Sequence, residues 1–491
     1  MISPSIRREW FAHPVREMLA GAVATFALIP EVIAFSFAAG VDPQVGLFAS
    51  FVIGIVIAFT GGRPAMISAA AGSVALVAAP LVHAHGLQYL LAAGLLAGVI
   101  QILFGLFRLG VLMRFVSKSV RTGFVNALAI LIFAAQVPHI IGGGWIGYVV
   151  LAAGLAVIYL APLVTTAIPS PLICIVLLTG LSIGLNLPIM TVADLGQLPD
   201  ALPVFALPSV PLSFETLRII SAPAVAIAMV GLLESMMTAS VVDDLTDTPS
   251  SKNRECTGLG IANFASSLFG GIAGCGMIGQ TVSNVKYGGR GRLSTLFAGV
   301  FLLVLMVLLK PWVSQVPVAA LVAIMVMVSI DTFDWTSLRT VVAHPRVSSI
   351  VMLATVLVTV ATSNLALGVM VGVLLSGVFF AFKVAGLLNV EAIPDTAARR
   401  LTYRARGQVF FASADLFIDA FDVREAADMN VTIDVSDAHF WDITAVAALE
   451  KVLQRFRTHG IAVEVRGLNQ ASSTLIERLD KTSDFNPPTG R

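Results

Sequence analysis

Apolar stretches follow one another almost without pause from about residue 17 to residue 384, after which the chain becomes mixed. Fourteen can be marked, at 17–39, 45–60, 67–82, 88–107, 121–137, 145–167, 171–187, 221–242, 257–270, 275–287, 293–309, 315–330, 348–364 and 366–384. Several are shorter than the roughly 20 residues that a simple spanning helix needs. The pattern therefore predicts a polytopic α-helical membrane domain, residues 1–388, with fourteen transmembrane segments, some of them half-length. Residues 389–400 read as a charged linker, and 401–485 as a small soluble domain. There, 431–435 alternates like a strand, 443–458 repeats apolar residues at helical spacing, Gly460 suits a helix end, and 461–465 reads as a second strand. Strand, helix and strand joined by short turns predict an α/β fold.

Basic residues set the expected orientation. Arg7, Arg8 and Arg16 precede the first stretch. Arg63 follows the second, and Arg108, Arg114, Lys118 and Arg121 the fourth. Lys252 and Arg254 follow the eighth, Lys286, Arg290 and Arg292 the tenth, and Arg339 and Arg346 the twelfth. The other connections are poor in Lys and Arg, Arg218 and Lys310 excepted. Excess Lys and Arg mark the cytoplasmic side, so both termini are expected there, in a multi-pass membrane protein.

Composition supports this and narrows the function. The chain is 57% hydrophobic and 12% charged, against about 25% charged in soluble domains. A net charge of +1 argues against a nucleic-acid partner. The three cysteines are scattered and suggest neither a disulfide framework nor a metal knot. The opening MISPSIRREWFAHPVREM lacks the apolar core of a cleavable leader. No nucleophile–base constellation, P-loop or metal motif stands in the apolar region, which argues against an enzyme or an ATP-driven pump.

Two acids interrupt this apolar background. Glu31 lies within 19–39 and Glu234 within 222–242. Each costs at least a few kcal/mol at bilayer depth unless it faces protein or water. Laying Glu31 over Glu234 puts Gly72 over Cys275, so the small-residue run 68–73 falls opposite 270–276. Short or glycine-interrupted spans at matching places in two halves point to a transporter's binding site. Glycine lets backbone approach a ligand, and a half-helix N-terminus offers free N–H groups to an anion. The plainer alternative is close helix packing through small residues. Seven spans per half, an odd number, require the halves to be inverted relative to one another.

The acids also suggest coupling. A protonated Glu31 tolerates an anion beside it and an ionised one repels it, so proton and anion would each favour the other's binding. Glu234, with Thr238 four residues on, could instead hold sodium. Either acid could also be structural. Phe35 lies on the same helical face as Glu31 and could line the site or simply pack. Asn126 and Gln136 suit bonds between helices, and Asp243, Asp244 and Asp247 suit a solvated turn.

The stretch from Gly231 to Gly299 resembles the signature region of the sulphate permease family of anion transporters. The resemblance rests on Glu234-Ser235, Asn253-Arg254-Glu255, Gly258 to Asn263, Phe269-Gly270-Gly271, Asn284 and Gly288-Gly289-Arg290, with Gly40 to Leu47 after the first span. It implies a seven-plus-seven inverted repeat divided into core and gate domains, working by movement of one against the other, and a homodimer. It also implies a substrate site between the half-helices, at Ala71, Gly72 and Ser73 and at Gly276, Met277, Ile278, Gly279 and Gln280. Many relatives carry Arg where this chain has Gln280, and animal relatives often lack the acid at Glu31.

The tail resembles the STAS domain, with Asp442-Ile443-Thr444-Ala445 in place of an Asp-Ser-Ser-Gly-like turn. Thr444 is thus a candidate for phosphorylation, and the domain a candidate surface for a cytoplasmic partner. The expected function is proton-coupled symport of a C4-dicarboxylate such as fumarate or succinate, with no cofactor beyond the coupling ion. The alternative is an exchanger of sulphate, bicarbonate or chloride, a sodium-coupled symporter, or a channel on the same fold.

Overall fold

The computed structural model describes residues 9–110, 116–165, 170–195, 202–343, 346–396, 398–426 and 429–480. Arg7, Arg8 and Arg114, used above for orientation, lie outside them. The chain divides into two compact units, Met1–Val373 and Leu374–Arg491.

The first unit contains α1 (Pro14–Ala39), α2 (Pro43–Thr60), β1 (Ser68–Ala70), α3 (Gly72–His85), α4 (Leu87–Leu106), α5 (Lys118–Gly142), α6 (Gly144–Val164), α7 (Ser170–Gly184) and the short α8 (Val192–Leu195). It continues with α9 (Phe214–Thr246), α10 (Lys252–Leu268), β2 (Gly274–Gly276), α11 (Ile278–Lys286), α12 (Arg292–Val313), α13 (Val318–Thr332), α14 (Thr336–Ala343), α15 (Arg346–Thr362) and α16 (Leu365–Ala385), which runs across the boundary. Among the described residues, six helices are long and apolar enough to cross a membrane, or seven if the bent α1 is one span, and five more are shorter apolar helices. The helices follow the order of the fourteen expected stretches, with the short α8 added between the seventh and eighth and α14 between the twelfth and thirteenth.

These helices form two interleaved bundles. In one, α1–α4 pack with α9–α12, and in the other α5–α7 pack with α13 and α15. Gly368 and Gly372 let α16 approach Thr359 and Thr355 of α15. Each half of the sequence thus gives its first four segments to one bundle and its last three to the other. α1 bends by 44° between Phe26 and Glu31, where Pro30 lacks an amide proton for the helical ladder.

β1 and β2 lie where helices would otherwise run, and they pair antiparallel, with Ser68 opposite Gly276, Ala69 opposite Cys275 and Ala70 opposite Gly274. Unwound backbone away from water must find partners, and here each strand is the other's. Side chains satisfy the remaining edges. Asn263 bonds both polar groups of Gly274, accepting from its amide at 2.8 Å and donating to its carbonyl at 3.1 Å, and also donates to Gln101. The Gly276 amide donates to Ser235, and its carbonyl accepts from Thr238 at 2.8 Å. The Ala70 amide donates to Ser50, and the Ile67 amide to Thr281. A Cβ on Gly274 would stand 2.0 Å from the Ala69 carbonyl oxygen, so the pairing admits only glycine there. The spacing of the two acids would set Gly271 opposite Ser68 in the repeat; β2 instead begins at Gly274.

Two of the basic residues used for orientation do not face solvent. Arg63 is buried and paired with Asp243 at 3.1 Å. Arg292 is buried and donates to the carbonyls of Ala58 and Gly61, completing the end of α2. The acidic run after the eighth span is likewise no solvated turn throughout: α9 continues to Thr246, and Asp243 joins Arg63 and Lys252. Asn126 does bridge helices, donating to Ser337 and accepting from the Asp334 amide.

The second unit holds β3 (Asn389–Asp395), β4 (Arg400–Val409), α17 (Ala414–Asp419), β5 (Asn430–Phe440), α18 (Ile443–Thr458), β6 (Val463–Arg466) and α19 (Gln470–Asp480). The sheet order is β3-β4-β5-β6, with β3 antiparallel to β4 and the other pairs parallel. The expected linker, 389–400, is thus largely β3, an edge strand whose mostly exposed residues mimic a charged connector. The core gathers Tyr403, Phe417, Phe421, Phe440 and Phe456. Asp442 caps α18 by accepting from the Ala445 amide at 2.8 Å, and Gly460 follows the helix at φ 72°. Thr444 is exposed in the first turn of α18. Within β5, Asp434 accepts from the Ser436 hydroxyl and amide, which holds its carboxyl below the usual range.

The strand pair makes a sharp stability prediction. Gly274→Ala should destabilise the transporter by at least about 1–3 kcal/mol, seen as a lowered melting temperature in detergent. Gly279→Ala, whose added Cβ would meet nothing within 4 Å, should melt like the native chain. Equal melting of both variants would show that the β1–β2 pairing does not limit stability.

Candidate functional site

A cavity of about 370 Å³ lies between the two bundles. One bundle lines it with Glu31 and Phe35 of α1, Gly72 and Ser73 of α3, Glu234 and Met237 of α9, and Met277 to Gln280 at the start of α11. The other supplies Phe124, Val125, Leu128 and Ile132 of α5, and Met327, Val328, Asp331 and Thr332 of α13. The first side is polar and backbone-rich. The second is apolar except for its last two residues.

Both half-helices start at this cavity. The first intrahelical bonds run from the Ala75 amide to the Ala71 carbonyl and from the Thr281 amide to the Met277 carbonyl. The amides of Gly72, Ser73 and Val74, and of Ile278, Gly279 and Gln280, therefore have no partner within their own helices. Such amides, with the positive ends of two helix dipoles, suit an anion. The cavity brings these ends together although they lie far apart in sequence, because β1–β2 pairing ties one half-helix to the other.

The carboxylates are placed differently. Glu234 accepts hydrogen bonds from the Ser73 hydroxyl and the Cys275 thiol, which tie α9 to both broken segments. Glu31 stands just beyond the bend in α1, with the buried Gln280 side chain in hydrogen-bonding contact. Asp331 acts on Glu31 electrostatically from α13. Among the described residues, no Lys, Arg or His lines the cavity.

Of the residues expected from sequence, the cavity gathers Glu31, Phe35, Gly72, Ser73, Glu234, Met277, Ile278, Gly279 and Gln280. Ala71 and Gly276 stand just behind, as the residue before α3 and the last residue of β2, and are not among the lining residues. Thr238 is fully buried, and its hydroxyl donates to the backbone carbonyls of Glu234 and Gly276 rather than meeting the Glu234 carboxylate. Sequence reasoning missed Asp331 and the α5 face. The twelfth stretch was ended at residue 330, one position short of the acid; a single carboxylate closing an apolar helix was the available signal. Among the described residues no group of three or more His, Cys, Asp or Glu could hold a metal.

Two matching halves, each with a broken helix, and a site between two bundles define a multi-pass transporter. The comparisons name its family. The sulfate permease family matches residues 15–146 and 143–355, and the STAS domain matches residues 388–489. The chain therefore belongs to the sulfate permease family, whose members are anion transporters rather than enzymes. It is 49% identical, over 97% of its length and 99% of the relative's, to YbaR of Bacillus subtilis, a protein named for sulfate transport. It is 26% identical to the bicarbonate transporter BicA of a Picosynechococcus strain, over 94% of this chain and 90% of that one. The transmembrane domain of a cyanobacterial BicA matches 72% of this chain and 97% of its own, at 27% identity and a TM-score of 0.66. Murine Slc26a9 in an inward-facing state shares the fold at a TM-score of 0.82 and 17% identity, over 95% of this chain and 88% of that chain.

Gly72 tests the cavity wall. An added Cβ would lie 2.7 Å from the Phe35 ring, so Gly72→Ala should push the ring into the cavity and weaken anion uptake by about tenfold, the lower end of the usual overpacking penalty. Adding Phe35→Ala to that chain should restore part of the uptake in proteoliposomes. No rescue would mean that Gly72 acts through its backbone alone.

Proposed function

We propose that this chain is a proton-coupled symporter of a small inorganic oxyanion, bicarbonate or sulfate. The supporting observation is the charge balance of the cavity: three carboxylates, Glu31, Glu234 and Asp331, and no basic side chain among the described lining residues. Helix N-termini offer roughly half a positive charge each, too little to offset an anion and several ionised acids in a water-poor site. An anion enters when the acids are neutralised, and protons neutralise carboxylates without needing space. Glu31 is the coupling group in this reading, because it stands free of the strand pair and contacts Gln280 beside the α11 amides. Glu234 holds the two broken segments in place through Ser73 and Cys275.

The relatives are named for sulfate and bicarbonate, which favours an inorganic oxyanion over fumarate or succinate. A sulfate dianion would need one more neutralising proton than bicarbonate. Sodium at Glu234 and Thr238 is less favoured, since the Thr238 hydroxyl is engaged by backbone carbonyls. Both termini face the cytoplasm in this reading, the working form is a homodimer, and the STAS domain serves a cytoplasmic partner or the dimer.

The test is uptake into proteoliposomes of labelled bicarbonate, sulfate and fumarate, each with an imposed inward proton gradient, with a sodium gradient, and with neither. One inorganic oxyanion should accumulate with the proton gradient, less so as external pH rises, and Glu31→Gln should lose that response by about tenfold or more. Uptake indifferent to both gradients and to Glu31→Gln would leave an exchanger or channel. Accumulation of fumarate alone would restore the dicarboxylate reading.

A further inference from the structure

Asp331 has so far counted only towards the charge of the cavity, with no role of its own. It lies near the end of α13, exposed to the cavity, on the bundle opposite Glu31. Apart from Asp331 and Thr332, every residue that this bundle contributes to the cavity is apolar. A lone carboxylate on an apolar wall works against anion binding, and no described basic side chain in the cavity offsets it. The elements packed on α13 do not supply an offset either. α1 presents Glu31, itself an acid, and α6 presents the neutral phenol of Tyr159. The α5 face on the cavity is Phe124, Val125, Leu128 and Ile132, while Lys118 and Arg121 at its start are exposed and outside the cavity, and His139 lies by Val318 and Val322 at the other end of α13. α7 carries no charged residue, and its Cys174 lies in an apolar cluster with Ala320 and Ile324, towards the other end of α13. Glu234 lines the far side of the cavity and is engaged by Ser73 and Cys275.

We propose that Asp331 enforces coupling: as the two bundles close, its carboxylate faces Glu31 and the bound anion, and bars transit of an anion that arrives without its cation. The argument rests on the cation-coupled reading above. Closure brings the apolar wall towards the polar one, so the charge it carries is felt most in the closed, moving state. With a proton on the Glu31–Asp331 pair, closure confronts the anion with at most one negative charge. Without one it confronts the anion with two. An anion transporter lacking Asp331 would therefore still bind and move anions, but would move them without the cation more readily.

The experiment compares native protein, Asp331→Asn and Asp331→Glu, each full length and checked by size exclusion, in proteoliposomes. Labelled bicarbonate and sulfate uptake is measured with and without an inward proton gradient, across a range of external pH. The expected result is that gradient-free uptake by Asp331→Asn rises about tenfold, within the usual range of coupling between sites. Its pH profile flattens and its KM for the anion falls, since one repelling carboxylate is gone, whereas Asp331→Glu keeps the native pH profile and gradient dependence. Coupled native protein with an equally coupled Asp331→Asn would overturn the inference and leave the symport reading standing. Leakage by both variants would overturn it in favour of a packing role, and a folded but inactive Asp331→Asn would overturn it in favour of an essential ligand. An uncoupled native protein would overturn both readings.

Discussion

The antiparallel pairing of β1 with β2 is the interaction on which the site depends. A helix can cross a membrane because it satisfies its own backbone, and a break in one exposes N–H and C=O groups at several kcal/mol each. Two breaks at the same depth solve the problem jointly. Three residues of one half pair with three of the other, and Asn263, Ser235, Thr238, Ser50 and Thr281 bond backbone groups along the edges of the pair. Much of the cost of unwinding is thus met within the bundle, while the first amides of α3 and α11 keep no partner in their own helices. The same pairing positions Cys275 and Ser73 to hold Glu234. Substitutions at Gly274 or Asn263 therefore act on the site through the backbone, without touching the cavity.

The positive end that these helices present is weak and diffuse, whereas the charges around it are whole and negative. The family resemblance led us to expect an anion site, and the fold supports one, but the side chains that line it carry acids where a passive anion site would carry a cation. Gln280 sharpens the point: its neutral amide sits beside the α11 amides and contacts Glu31, which in the proposed mechanism links the anion-facing backbone to the coupling group. In that mechanism a cation in its place would pair with Glu31 and break the link between protonation and anion binding.

Much of this was legible in the sequence, and the limits have physical causes. Acids within apolar stretches are expensive, so Glu31 and Glu234 stood out, and small-residue runs at matching distances from them located both broken helices. The two acids do not occupy equivalent structural positions, and so their spacing placed β2 too early. Asp331 escaped notice because a carboxylate at a helix end reads as the beginning of solvent; only the packing of α13 against α5 turns it inward. Arg63 and Arg292 read as surface cations, and their burial depends on carboxylates and carbonyls contributed by segments remote in sequence. The edge strand β3 was taken for a linker because its pattern is dominated by exposure rather than by alternation. α18, whose apolar spacing and terminal glycine are local signals, matched its expected bounds.

The two walls of the cavity divide the work of a moving transporter. The wall built on α3 and α11 holds its polar groups by hydrogen bonds to its own bundle, so it can move as a rigid body without breaking them. The wall built on α5 and α13 offers Phe124, Leu128, Ile132, Met327 and Val328, side chains whose contacts are non-directional and change partners at small cost. Sliding one against the other would exchange apolar contacts for apolar contacts in the seam. Methionine on both sides, Met237 and Met277 facing Met327, suits such a seam, because its flexible thioether fills irregular gaps as the fit changes. Charge is then the main directional interaction left across the seam. In the proposed mechanism movement itself is cheap, and the charges of anion, proton and carboxylates decide which loaded states move.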